Sequence, residues 1–132
     1  MAFISIENLT TRYNTSKGLV HALEDVSFAI ENGESIGIAG ESACGKSTLG
    51  LSIIRMITNG KIYSGKIEFD EKSLLDISDS DFDSNIRWKE ISMVFQGAMN
   101  SLDPVFSIEH QFEEVLSPVS YTHLTLPTIY SV

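Results

Sequence analysis

Residues Gly40-Glu41-Ser42-Ala43-Cys44-Gly45-Lys46-Ser47 place a glycine, four free positions and then Gly-Lys-Ser in succession, the spacing by which a chain cradles a polyphosphate. Several negative charges must be held there by a neutral backbone and one fixed cation. Successive backbone N–H groups in such a loop turn inward as an anion nest, and a following helix offers its positive end to the same oxygens. Gly40 and Gly45 permit the turns, Lys46 can carry an ammonium to the terminal phosphates, and the Ser47 hydroxyl is placed to ligate a magnesium ion bridging them. Thr48 is a weaker helper. Ala43 stands where such loops often have glycine, and so requires a backbone angle that alanine can adopt. Cys44 lies beside a lysine at a helix start, which favours the thiolate, but as the only cysteine it has no disulfide or CxxC partner and is read as a small loop residue.

The pattern needs a strand before it and a helix after it. The apolar run Ser35 to Ala39 predicts a buried strand, and Leu49, Ile53, Met56 and Ile57 share one face of a helix that Asn59-Gly60 would cap. Upstream, Phe3 to Leu9 and Val26 to Ile30 alternate as half-buried strands, and Asn32-Gly33 signals a hairpin turn into the Ser35 strand, so an antiparallel layer precedes the loop. Downstream, Lys66 to Asp70 predicts a short strand, Ser78 to Lys89 an amphipathic helix, and Ile91 to Phe95 an apolar strand ending at Gln96. Trp88 reads as a packing residue beside that last strand.

The 132 residues are 42% hydrophobic, enough for one modest core. No apolar stretch has the length of a membrane span, and the start Met1-Ala2-Phe3-Ile4-Ser5 lacks the form of a secretory signal, so a cytoplasmic setting is the default expectation. A net charge of -9 argues against a nucleic-acid partner. The acidic residues Asp70, Glu71, Asp76, Asp79, Asp81 and Asp83 fit a solvated surface with helix caps, since their spacing matches no calcium loop. His21, His110 and His123 show no metal-ligand spacing.

Two segments, Gly40 to Thr48 and Ile91-Ser92-Met93-Val94-Phe95-Gln96-Gly97-Ala98-Met99-Asn100-Ser101-Leu102-Asp103-Pro104, resemble those of ABC transporter ATP-binding subunits, specifically the branch that imports dipeptides, oligopeptides or nickel. The first is general to P-loop proteins, whereas Phe-Gln followed by Ser-Leu-Asp-Pro is far more discriminating. The resemblance runs from about Ile4 to about Leu116. It implies an α/β P-loop NTPase fold, here its N-terminal part, with an antiparallel β layer, an incomplete core sheet and helices. It implies ATP and Mg2+ as ligands, with Tyr13, Gly40, Ser42, Ala43, Cys44, Gly45, Lys46, Ser47 and Thr48 around the nucleotide and Ser47 and Gln96 on the metal. Tyr13 would stack on the adenine, and since the loop from Asn14 to Gly18 is longer than in many relatives, Val20 or His21 could share the contact. The implied partners are a second ATP-binding subunit, identical or not, and transmembrane permease subunits, at the cytoplasmic face of the cell membrane.

The resemblance also implies segments that do not occur in these residues: a Leu-Ser-Gly-Gly-Gln type signature, a strand ending in Asp followed by a catalytic Glu, and a switch histidine. No catalytic residue is therefore assigned, and neither His110 nor His123 takes the switch position. From Pro118 to Thr128 the family pattern stops, and the segment resembles the translation of a transposon adapter used in sequencing libraries. The expected division is thus 1–117, a truncated nucleotide-binding domain, and 118–132, a non-native tail. The function implied is an ATP-driven engine for peptide uptake. The alternatives are a nucleotide-binding fragment without turnover, a non-transport ABC-type ATPase, and another P-loop enzyme such as a kinase, which would leave the Gln96 region unexplained. Ending near Leu116 would leave core strands without neighbours, and low solubility is expected.

Overall fold

The computed structural model describes residues 2–97 and 102–116, in two compact units that divide after Phe82. The expected division at Pro118 falls outside the described residues.

The first unit is built on a four-stranded antiparallel sheet. Strands β1 (Ala2–Thr15) and β2 (Gly18–Glu31) form one long hairpin, β3 (Gly60–Phe69) pairs with the other side of β1, and β4 (Lys72–Ser73) adds a short edge. The order is β2-β1-β3-β4. The alternating residues predicted at Phe3 to Leu9 and Val26 to Ile30 are the far ends of that hairpin, whose turn is the tight Ser16-Lys17 step closed by Thr15 Oγ1 donating to the Gly18 carbonyl at 2.7 Å. The segment Asn14 to Gly18 is thus a hairpin end and not a long loop. Matched bulges bend the sheet midway. Asn8 and Asp25 both take left-handed φ, 50° and 54°, with Asn8 Nδ2 donating to Asp25 Oδ1 at 2.6 Å. Gly65 lies opposite them at φ 106°, where a β-carbon would come within 2.6 Å of Leu9 Cα. One sheet face carries the core: Ile6, Leu9, Ile67 and Phe69 are buried, together with Leu23, Leu49, Ile54, Leu74 and Phe82 of the same unit.

Helix α1 (Lys46–Ile53) follows the phosphate-binding pattern as expected but is shorter than predicted. It ends in a doubly bonded cap, Met56 N–H to Leu51 O at 2.9 Å and Arg55 N–H to Ser52 O at 3.2 Å, with Arg55 left-handed at φ 54°. Met56 and Ile57 therefore leave the helical face, and Asn59-Gly60 opens β3 instead of capping a helix. Arg55 compensates the cost of a non-glycine residue there: Nη1 donates to the carbonyls of Leu74 (3.2 Å) and Ile77 (3.0 Å), Nη2 pairs with Asp79, and the guanidinium lies 5.0 Å from the Phe82 ring centre.

Two predicted strands are not formed. Ser35 to Ala39 has no strand pairing and leaves Ile36 and Ile38 41% and 51% exposed, so Asn32-Gly33 is a turn, closed by Glu34 N–H to Glu31 O, without a hairpin beyond it. Ile91 to Phe95 is likewise extended without a ladder, apart from a single bridge between Arg87 and Ile91, and Val94 is 90% exposed. Apolar runs of this kind become strands only when neighbours satisfy their backbone groups, and among the described residues none does.

Helix α2 (Asp79–Asn85) starts where predicted, with Ser78 Oγ accepting from Asp81 N–H at 3.1 Å. It stops short of Lys89 because the Ile86 carbonyl accepts N–H groups from Lys89, Glu90 and Ile91 while Trp88 turns left-handed at φ 65°. Within the second unit Trp88 packs edge-on against Phe95 with ring centres 6.4 Å apart, and helix α3 (Ile108–Leu116), not anticipated from the sequence, begins with Ser107 Oγ accepting from His110 N–H.

Candidate nucleotide site

The loop from Gly40 to Gly45 is shaped by its own lysine. Lys46 Nζ donates to the carbonyls of Gly40 (2.7 Å) and Glu41 (2.6 Å) and lies 3.1 Å from Cys44 Sγ, so three contacts engage its three protons. The bare α-carbon of Gly40 leaves room for the Cys44 thiol beside Lys46, since a β-carbon there would meet Sγ at 2.6 Å and displace it. Ala43 is left-handed at φ 63°, the angle for which glycine is more commonly used. Lys46 draws the exposed Cys44 thiol below the ordinary thiol range by hydrogen bonding to it.

Gly45 forms the corner between loop and helix. At φ 96° it is the N-cap of α1, and a β-carbon would press within 2.5 Å of the Ala22 carbonyl and 2.9 Å of Leu23 Cδ2, so the loop is seated directly on β2. As a glycine, the N-cap has no side chain to bond the first turn of α1, and none of the residues in that turn is acidic. A helix start with a glycine N-cap, no acidic residue in its first turn and a lysine at its first position suits an anion with several oxygens. Ser42 and Ser47 are exposed beside it. The residues therefore fit a polyphosphate.

Helix α1 is fixed to β1 by polar contacts in an otherwise apolar seam. Ser52 Oγ donates to the Thr48 carbonyl at 2.7 Å and lies 3.2 Å from Thr11 Oγ1, both side chains being fully buried. One turn earlier, the Tyr13 phenol donates to Thr48 Oγ1 at 3.4 Å. The structure thus gathers Tyr13, Gly40, Ser42, Ala43, Cys44, Gly45, Lys46, Ser47 and Thr48 in the first unit. Gln96 belongs to the second unit, at an exposed turn that continues through Gly97 at φ 88°. Sequence reasoning missed Thr11, Ser52 and Arg55, which hold α1 in place. Small hydroxyls with helical and strand spacing carried the only signal for the first two.

A family profile described as ABC transporter matches residues 23–128. Among curated proteins, the chain is 38% identical to the oligopeptide transport ATP-binding protein AppD of Bacillus subtilis over 115 residues, covering 86% of this chain and 35% of that protein. It is 37% identical, over the same length, to the dipeptide transport ATP-binding protein DppD of Bacillus subtilis, covering 34% of it. The chain thus spans about a third of the length of these relatives. Among solved structures, the ATP-binding cassette MJ0796, a dimer in a post-hydrolysis state bound to ADP and Pi, superposes with a TM-score of 0.76 at 26% identity, over 92% of this chain and 50% of that one. Profile, sequence relatives and fold agree with the geometry of the loop: the chain belongs to the ABC transporter family, and what it contains is part of an ATP-binding domain.

Proposed function

We propose that this chain is part of the ATP-binding subunit of an importer, binding magnesium-ATP in the Gly40 to Thr48 loop and coupling its binding and hydrolysis to uptake of peptides or similar solutes. The observation that carries the reading is the Lys46 ammonium poised over carbonyl oxygens at a helix start whose N-cap is glycine, in a chain similar to oligopeptide and dipeptide transport ATP-binding proteins. On binding, phosphate oxygens would replace the Gly40 and Glu41 carbonyls as Lys46 partners, and the backbone amides of the loop would hold the remaining charge. Ser47 and Gln96 would hold the magnesium ion, which neutralises charge on the terminal phosphates when present. Tyr13 would give its ring face to the base. A second ATP-binding subunit and membrane-spanning permease subunits are the partners in this reading, at the cytoplasmic face of the membrane; among the described residues no helix is long and apolar enough to cross one.

Titration calorimetry with magnesium-ATP tests the assignment. Lys46→Ala abolishes binding, and Gln96→Ala weakens the magnesium dependence with a smaller loss of affinity; normal magnesium-ATP binding by Lys46→Ala would refute it. The division at Pro118 rests on the likeness of residues 118–128 to a translated sequencing adapter, in a stretch that the family profile match still spans, and sequencing the gene across the Leu116 to Ser120 codons decides it.

A further inference from the structure

Tyr13 is pinned at both ends of its ring. Its hydroxyl reaches Thr48 Oγ1 at 3.4 Å, on the first turn of α1. Its other end lies against Gly60, its register partner on β3, where a β-carbon would come within 2.8 Å of Tyr13 Cδ1, 2.7 Å of the Arg12 carbonyl and 3.0 Å of Ile57 Cγ2. The ring therefore rests on an α-carbon that must stay bare. The strand beside it is clamped by Asn14 N–H donating to Asn59 O at 2.8 Å. Thr48 is itself anchored, since its carbonyl accepts from Ser52 Oγ, which meets Thr11 two residues before Tyr13. A half-buried tyrosine with two soft torsions is thus held by a hydroxyl at its tip and a missing side chain at its base.

We propose that Thr48 and Gly60 are positioning residues for the Tyr13 ring, so that the helix carrying the phosphate loop also sets the plane offered to a nucleobase. This rests on the reading of Tyr13 as the base platform. It makes preference for a nucleoside triphosphate over a bare polyphosphate depend on the Thr48 hydroxyl as well as on the aromatic ring. A stacked base gains from its platform only when the ring is already oriented before the ligand arrives, because any freedom left in it is lost on binding.

The test measures the affinity of the full chain for magnesium-ATP relative to magnesium-tripolyphosphate by calorimetry. Tyr13→Phe and Thr48→Val each lower this ratio about three- to five-fold, the double variant lowers it no further than either alone, and Thr48→Ser keeps the parent ratio. Gly60→Ala lowers the ratio as well; should that variant fail to fold, the Tyr13 and Thr48 pair decides alone. A parent-like ratio in Tyr13→Phe, or losses that multiply in the double variant, overturns the proposal. The underlying reading fails separately. If Tyr13→Leu keeps the parent ratio, the ring is no base platform and the proposal falls with it, and if Lys46→Ala still binds tripolyphosphate, the phosphate loop itself is misassigned. A lowered ratio in Tyr13→Leu with no change in Tyr13→Phe overturns the positioning role while leaving the platform standing.

Discussion

The buried hydroxyl pair between β1 and α1 permits a prediction whose sign depends on which atom donates. Ser52 has one hydroxyl proton, and the 2.7 Å contact to the Thr48 carbonyl claims it. Across the 3.2 Å contact Thr11 must therefore donate to Ser52 Oγ. Ser52→Ala leaves the Thr11 hydroxyl buried with no acceptor, a loss of about 2 kcal/mol, within the range for an orphaned buried donor. Thr11→Val removes the donor but lets Ser52 keep its bond to the helix carbonyl, and costs about 1 kcal/mol. The double variant leaves no orphan, so its loss is about 1 kcal/mol in place of the roughly 3 kcal/mol that addition gives. At about 4 °C per kcal/mol for a domain of this size, Thr11→Val/Ser52→Ala melts about 4 °C above Ser52→Ala alone. Urea and thermal unfolding of the three variants, followed by far-ultraviolet circular dichroism, measure the cycle. A double variant as unstable as the sum of the singles would show that the two hydroxyls do not act as a relay.

Gly65→Ala should destabilise the first unit by about 3 kcal/mol or more, because at φ 106° the new methyl would meet Leu9 Cα at 2.6 Å and the carbonyls of Asn8 and Glu7 at 2.7 Å; a melting temperature within about 2 °C of the parent would mean that the bulge relaxes freely. The rate of Cys44 alkylation by iodoacetamide should reach half its plateau below the ordinary thiol pKa of about 8.5, because Lys46 stabilises the thiolate, which is lost as pH falls through the lowered value. Lys46→Ala should move that midpoint upward, and an unmoved midpoint would detach the thiol from the lysine.

The loop was legible because its constraints are local: two glycines, a lysine and a serine at fixed spacing dictate a turn and a helix start whatever surrounds them. Tyr13 was legible only through resemblance, and its bond to Thr48 links residues 35 apart that no periodicity connects. The helix end was misplaced because the left-handed cap residue is Arg55, where glycine or asparagine is the usual signal, and its compensation comes from the carbonyls of Leu74 and Ile77, far along the chain. Ser35 to Ala39 and Ile91 to Phe95 were misread for the opposite reason. Their composition suits a buried strand, but strand formation is a property of the pair and not of the segment. The long hairpin hid its middle, since the bulges at Asn8 and Asp25 break the alternation on which sequence reading relies.

Among the described residues β2 lies on the outside of the sheet, fourteen residues long and paired only with β1. A straight run of that length would act as a template on which another chain could add itself, hydrogen bond by hydrogen bond. The left-handed step at Asp25, tied to Asn8, interrupts the template near its centre. The kink that lets the sheet curve over its core thereby also guards its open flank.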